Sequence, residues 1–132
     1  MDRIDALDLR QVLSSKAPEE QVPFMSICHS MLLMTRASDE SPPARVLDLS
    51  PADTVRFPRA TALKGLHMRW NEVTVRTPTV LTAALPQASR FYFVHSYFVQ
   101  ADNPADVTLH CHCGYDFGAG IKNGLRGYAH FF

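Results

Sequence analysis

From Asn71 onward the chain is written almost entirely in strand vocabulary, and this constrains its fold more than any other feature. Asn71 to Arg76 alternates, and Arg90 to Val99 is dominated by β-branched and aromatic residues. Val107 to Cys113 and Tyr115 to Ile121 flank Gly114 as the arms of a hairpin, and Leu125 to Phe132 follows the turn signal Asn123-Gly124 as a last strand. The front of the chain reads differently. Residues 6 to 17 set Leu7, Val12 and Leu13 among charges at helical spacing, a short amphipathic helix that Pro18 is expected to stop. Val22 to Ile27 is a brief apolar run suited to a buried parallel strand, and Met31 to Met34 suits a helix. Cys28 lies at that strand-to-helix junction. Between Ala37 and Pro58, Ser, Pro, Asp and Arg predominate, with Pro42-Pro43 and Pro51 as breakers, so a loop is expected with at most a strand at 46–49. Helix, strand, helix and then many strands imply an α/β or α+β mixture.

The chain has 132 residues, enough for a single domain that buries a core without disulfides or metals. Lys plus Arg and Asp plus Glu number 13 each, so no basic field exists to hold a phosphate backbone, and nucleic acid is not an expected partner. Three cysteines, two of them separated by one residue, do not form a secreted disulfide framework, which points to a reducing cytoplasm. The first residues lack the apolar segment of a secretory signal. No stretch reaches the roughly eighteen apolar residues that span a bilayer, so no membrane association is expected.

His110-Cys111-His112-Cys113 is the one run of soft metal ligands. In a strand the two histidines face one side and the two cysteines the other, so the four cannot converge on one ion without a bend. No metal and no cofactor are expected.

Three stretches carry a resemblance to a known family. Ser26-Ile27-Cys28-His29-Ser30-Met31-Leu32 resembles the Gly-Ile-Cys-Leu-Gly-Met-Gln motif around the nucleophile of class I glutamine amidotransferases, and a Thr35 to Glu40 tail follows it as in that family. Leu66-His67-Met68-Arg69-Trp70-Asn71 is similar to the Pro-His-Met-Gly-Trp-Asn of the glutaminase subunit of imidazole glycerol phosphate synthase. Phe91-Tyr92-Phe93-Val94-His95-Ser96-Tyr97 matches the Tyr-Phe-Val-His-Ser-Tyr strand of the same subunit, and Tyr115 to Tyr128 follows its later hairpin.

The resemblance implies an α/β, three-layered fold with a mainly parallel central sheet and an antiparallel later section. It covers the middle and later part of the family's domain, so residues 1–132 are expected to form a single, partial glutamine amidotransferase domain. It implies that Cys28 attacks the side-chain amide of glutamine, that a histidine protonates the leaving ammonia, and that ammonia passes to a cyclase subunit in histidine biosynthesis. Ser96 and Tyr97 match positions whose backbone groups hold the amino-acid end of glutamine. Trp70 and Asn71 match a loop facing the synthase partner. Two alternatives remain: a non-catalytic or partner-binding remnant, and the similar subunit of surface-polysaccharide pathways.

Departures from the motif bear on activity. Glycines flank the family's cysteine at the positions of Ser26 and Ser30, and the added side chains are expected to relax the strained turn. Leu32 replaces the family's glutamine and cannot make its amide hydrogen bonds. His29 adds an imidazole beside Cys28, but neighbours in a turn generally point apart. The catalytic histidine is His130 if the chain has shifted by one residue, whereas counting from Gly127 places that role at Phe131. The third triad residue of the family falls beyond Phe132, and weak or absent glutaminase activity is expected.

Overall fold

The computed structural model describes residues 7–19, 25–40, 46–58, 67–124 and 126–129. Helix α1 (Leu9–Glu19) is the expected amphipathic helix and carries one residue past Pro18, whose missing N–H costs it a single bond in the last turn. Of its apolar residues Leu13 packs against the core, whereas Leu9 and Val12 stay exposed, as does Leu7 just before the helix. Strand β1 (Met25–Ile27) leads through Cys28 into the single-turn helix α2 (His29–Leu32) and then into β2 (Thr35–Ser38). The buried Thr35 hydroxyl fastens this passage, lying 2.9 Å from the Leu32 and Ala37 carbonyls and 3.1 Å from Thr54 Oγ1.

The expected strand at 46–49 is displaced. Those residues run beside the end of α2, with Leu47 N–H donating to Leu33 O at 2.6 Å and Leu49 N–H to Met34 O at 2.9 Å, and the strand proper is β3 (Ser50–Arg56). Pro51 was a misleading breaker. It sits at the second residue of β3, opposite a register shift between Thr35 and Ala37 of β2, where its lack of an N–H interrupts no ladder bond.

Strand β4 (His67–Val75) pairs antiparallel with β5 (Ala88–His95) and with β7 (Val107–His112). The single strand expected from Arg90 to Val99 is two, because β6 (Tyr97–Ala101) leaves β4 at Ser96 and pairs with β3 instead. The hairpin about Gly114 joins β7 to β8 (Asp116–Asn123), and β9 (Arg126–Ala129) follows Gly124. Gly114 and Gly124 have φ of 90° and 60°, a region where a side chain would be strained. Gly120 serves a different need: a Cβ there would lie 3.0 Å from Leu109 Cγ and Cδ1.

All these strands belong to one mixed sheet running β2-β3-β6-β8-β7-β4-β5, with β9 joining β8 and β1 joining β9. The α/β class and the antiparallel later section are as expected, but the mainly parallel central sheet is not found among the described residues, where two strand pairings are parallel and six antiparallel. Among the described residues parallel pairing occurs where the amino-terminal strands enter, β1 with β9 and β2 with β3. Apolar groups pack on both faces. Phe98 and Val99 are neighbours on β6, so they face opposite ways, and they enter two different clusters. One cluster gathers Met31 to Met34, Leu47, Leu49, Ala52 and Ile121, and the other Phe57, Val73, Phe93, Leu109, Cys111 and Phe117.

Phe57 anchors the second cluster, with ring centroids 4.8 Å from Phe98, 5.3 Å from Phe117 and 5.8 Å from Tyr115. Phe57→Ala is expected to lower unfolding free energy by about 3–5 kcal/mol, the usual cost of emptying a buried aromatic site. Urea denaturation followed by fluorescence measures this, and a loss under about 1 kcal/mol would show that the cluster collapses around the gap.

Candidate functional site

Cys28 has an unusual backbone geometry, and Asp8 and Asp48 are the other described non-glycine residues with positive φ. The cysteine's φ is 56° and its ψ −128°, outside the regions that L residues favour, and such a residue costs on the order of 1–3 kcal/mol. A cysteine held this way between the end of a strand and the first turn of a helix has the geometry of a nucleophile elbow, a turn that lifts the side chain off the sheet end. The expected relaxation by the flanking serines does not occur. Ser26 is buried within β1, and Ser30 hydrogen-bonds the backbone of Ile27, so neither side chain opens the turn. The Ser26 hydroxyl is buried without a hydrogen-bond partner among the described residues.

Cys28 opens on a cavity of about 90 Å³ lined also by His29, Leu32, Glu40 and the run Val94 to Tyr97. This is below the roughly 300–1,000 Å³ of a pocket that engulfs a drug-sized ligand. It admits the end of a side chain and leaves the rest of a ligand at the mouth. Ser96 and Tyr97 therefore share a wall with Cys28, although 68 residues of sequence separate Ser96 from it. Their carbonyls are already engaged: Ser96 O accepts from Phe57 N–H at 3.1 Å, and Tyr97 O lies 2.7 Å from His95 Nδ1. Each carbonyl oxygen keeps a second lone pair.

His29 lines the same cavity as Cys28. Its Nδ1 is 4.0 Å from Glu40 Oε2. Glu40 and His95 also line the cavity, although the family stretches that contain them assign them no role. Their place in this cavity follows from the turn after β2 and from the break between β5 and β6, neither of which is marked by a motif. His130, the residue after the end of β9, lies outside the described residues, as does Phe131.

Trp70 and Asn71 are not among the residues lining this cavity and lie within strand β4, not on a loop. Because strand neighbours face opposite sides, they do not present one surface: Trp70 is 58 % exposed and lies against Tyr92 at 5.6 Å, whereas Asn71 is half-buried.

His110 and His112 lie apart from the cysteines. Cys111 and Cys113 are buried, and the Cys111 thiol is pushed well above the usual thiol range by its hydrogen bond with Cys113 and by burial, which keeps it protonated and unreactive. On the other face Asp116 Oδ1 is 2.7 Å from His112 Nδ1 and 3.6 Å from His110 Nε2. Among the described residues no group of three or more His, Cys, Asp or Glu is arranged to hold a metal ion, and no helix is long and apolar enough to cross a membrane.

No family model matches the chain. It is similar to three subunits named imidazole glycerol phosphate synthase subunit HisH. The HisH 1 subunit of Pseudomonas aeruginosa is 36 % identical over 109 residues, 79 % of this chain and 51 % of that protein. The subunit of Thiobacillus denitrificans is 34 % identical over 131 residues, 94 % of this chain and 56 % of that protein. That of Aromatoleum aromaticum is 38 % identical over 116 residues, 83 % of this chain and 52 % of that protein. The chain thus spans about half the length of these relatives. A crystal structure of a glutamine amidotransferase from Thermotoga maritima superposes with a TM-score of 0.67 over 99 % of this chain and 49 % of the other, at 14 % identity, a likeness of fold.

The hydrogen bond from His112, with the nearby charge as a lesser cause, holds the Asp116 carboxyl below its usual range. A depressed folded-state value makes this contact stabilising above the unfolded carboxylate range and lost as pH falls through the lowered value. Both groups are exposed, so screening keeps the contribution small. His112→Ala is expected to return the Asp116 midpoint upward, read from its carboxyl carbon shift by NMR. An unchanged midpoint would mean that the contact does not persist in solution.

Proposed function

We propose that this chain, which is similar to HisH subunits and shares the fold of a glutamine amidotransferase, is the nucleophile-bearing part of a glutaminase unit that supplies ammonia to a cyclase subunit for imidazole glycerol phosphate formation. The observation that carries this reading is the strained Cys28 elbow opening on a cavity shared with Ser96 and Tyr97. The relatives' names point to the same assignment.

In this reading the Cys28 sulfur attacks the carboxamide carbon of glutamine at the cavity, and the C–N bond breaks as ammonia takes a proton from an imidazole. Water then cleaves the thioester, releasing glutamate and restoring the thiol. His130 is the proposed proton carrier. In support, Ile27 pairs with Ala129 in parallel strands, which leaves Cys28 and His130 each one residue beyond that pair. Ser96 and Tyr97, through backbone groups, are proposed to hold the amino-acid end of glutamine at the open mouth. Trp70, exposed on β4, is the proposed contact to the synthase partner, with Asn71 behind it in the same strand.

A second reading, a partner-binding remnant without turnover, is favoured by one observation. Leu32 lines the cavity where the family carries an amide, so an apolar wall meets a polar substrate. The two readings separate in one assay, ammonia release from glutamine by the purified chain with and without a cyclase subunit. Weak release above that of Cys28→Ala is expected, stimulated by the partner. Release indistinguishable from the Cys28→Ala control in both conditions would replace the glutaminase reading by the remnant.

A further inference from the structure

We propose that the Ser30 hydroxyl is a positioning residue, a brace that keeps Cys28 in its strained conformation so that the sulfur faces the cavity. The proposal rests on Cys28 being the working thiol of the site.

A backbone conformation that L residues disfavour persists only where its surroundings over-determine it. Among the described residues such constraints reach Cys28 from both sides. On the carboxyl side, Met31 N–H donates to Cys28 O at 3.0 Å, the first bond of the α2 turn. On the amino side β1 is paired with β9 as far as Ile27, and one hydroxyl adds to that hold: Ser30 Oγ accepts from Ile27 N–H at 3.1 Å and donates to Ile27 O at 2.6 Å. Both polar groups of the residue before the cysteine are thus tied to the second residue after it. The four residues Ile27 to Ser30 close on themselves, and Cys28 cannot relax toward an extended strand without breaking both bonds.

Ser30 has no other evident work. It is exposed and is not part of the cavity wall, so its side chain adds neither packing nor a ligand contact. The glycine that the family motif carries at this position has no hydroxyl with which to make these bonds, so the brace belongs to this chain and offsets the tendency of the substituted turn to open. Ser26 contrasts with it, buried with its hydroxyl lacking a hydrogen-bond partner among the described residues.

The test uses an isosteric pair in the full chain, Ser30→Thr and Ser30→Val, which have the same shape and differ in the hydroxyl, together with Ser30→Ala. The readout is the rate of Cys28 alkylation by iodoacetamide near neutral pH, located by mass spectrometry; Cys111 and Cys113 are buried, and their labelling reports unfolding. Ser30→Thr is expected to stay within about twofold of the parent rate, and Ser30→Val and Ser30→Ala to fall by roughly tenfold, as a displaced reacting atom does. Equal rates for the Thr and Val variants would overturn the proposal, whether or not the Ala variant folds. Ammonia release is scored on the same preparations. A Thr–Val difference in alkylation with no ammonia from the parent chain would sink the glutaminase reading while leaving the brace in place.

Discussion

The pairing of β8 is the constraint on which the rest of the structure depends. One edge of this strand takes β7 along its length, while the other meets β6 at Gly118 and β9 from Gly120 to Asn123. No other described strand has three partners. Through β6 it reaches β3 and β2, through β7 it reaches β4 and β5, and through β9 it supports β1 and hence Cys28. Its glycines make this possible, since side chains at 118 and 120 would press on Val107 and Leu109.

The candidate site forms where the backbone leaves regular pairing. Cys28 follows the last paired residue of β1, and Ser96 lies between β5 and β6, where the chain changes neighbours. At such places backbone groups are released from the ladder and become available to a ligand or to local partners. Here much of that capacity is spent locally, on Phe57, His95 and Ser30. The far edge of the sheet is secured differently: Arg36 of β2 makes paired bonds to Asp53 and Asp102, and these hold the Asp102 carboxyl below its ordinary range. Those groups are exposed, so the cluster aligns β2, β3 and the turn after β6 more than it stabilises the fold.

Much of this was legible from residue types alone. β-Branched and aromatic alternation located β4, β5, β7 and β8, and Gly114 and Gly124 marked their turns, because pleated geometry and positive φ each demand particular side chains. The junction at Cys28 was legible for the same reason, and the family stretches identified which cysteine to examine. Proline misled at β3, because whether Pro51 breaks a strand depends on what lies across from it. The flanking serines also misled, since their effect on the elbow depends on a hydroxyl finding Ile27.

By itself the sequence determined local matters: which segments are strands, where the chain turns, and that Cys28 stands between a strand and a helix. These follow from forces that act within a few residues, namely sterics at the backbone and the periodicity of apolar side chains. Only the tertiary structure decided that Cys28 shares a cavity with Val94 to Tyr97 and Glu40, that residues 88–101 divide at Ser96, and that Trp70 and Asn71 face opposite ways. Those outcomes depend on register and on which strands become neighbours, and both are set by contacts between residues far apart in the chain.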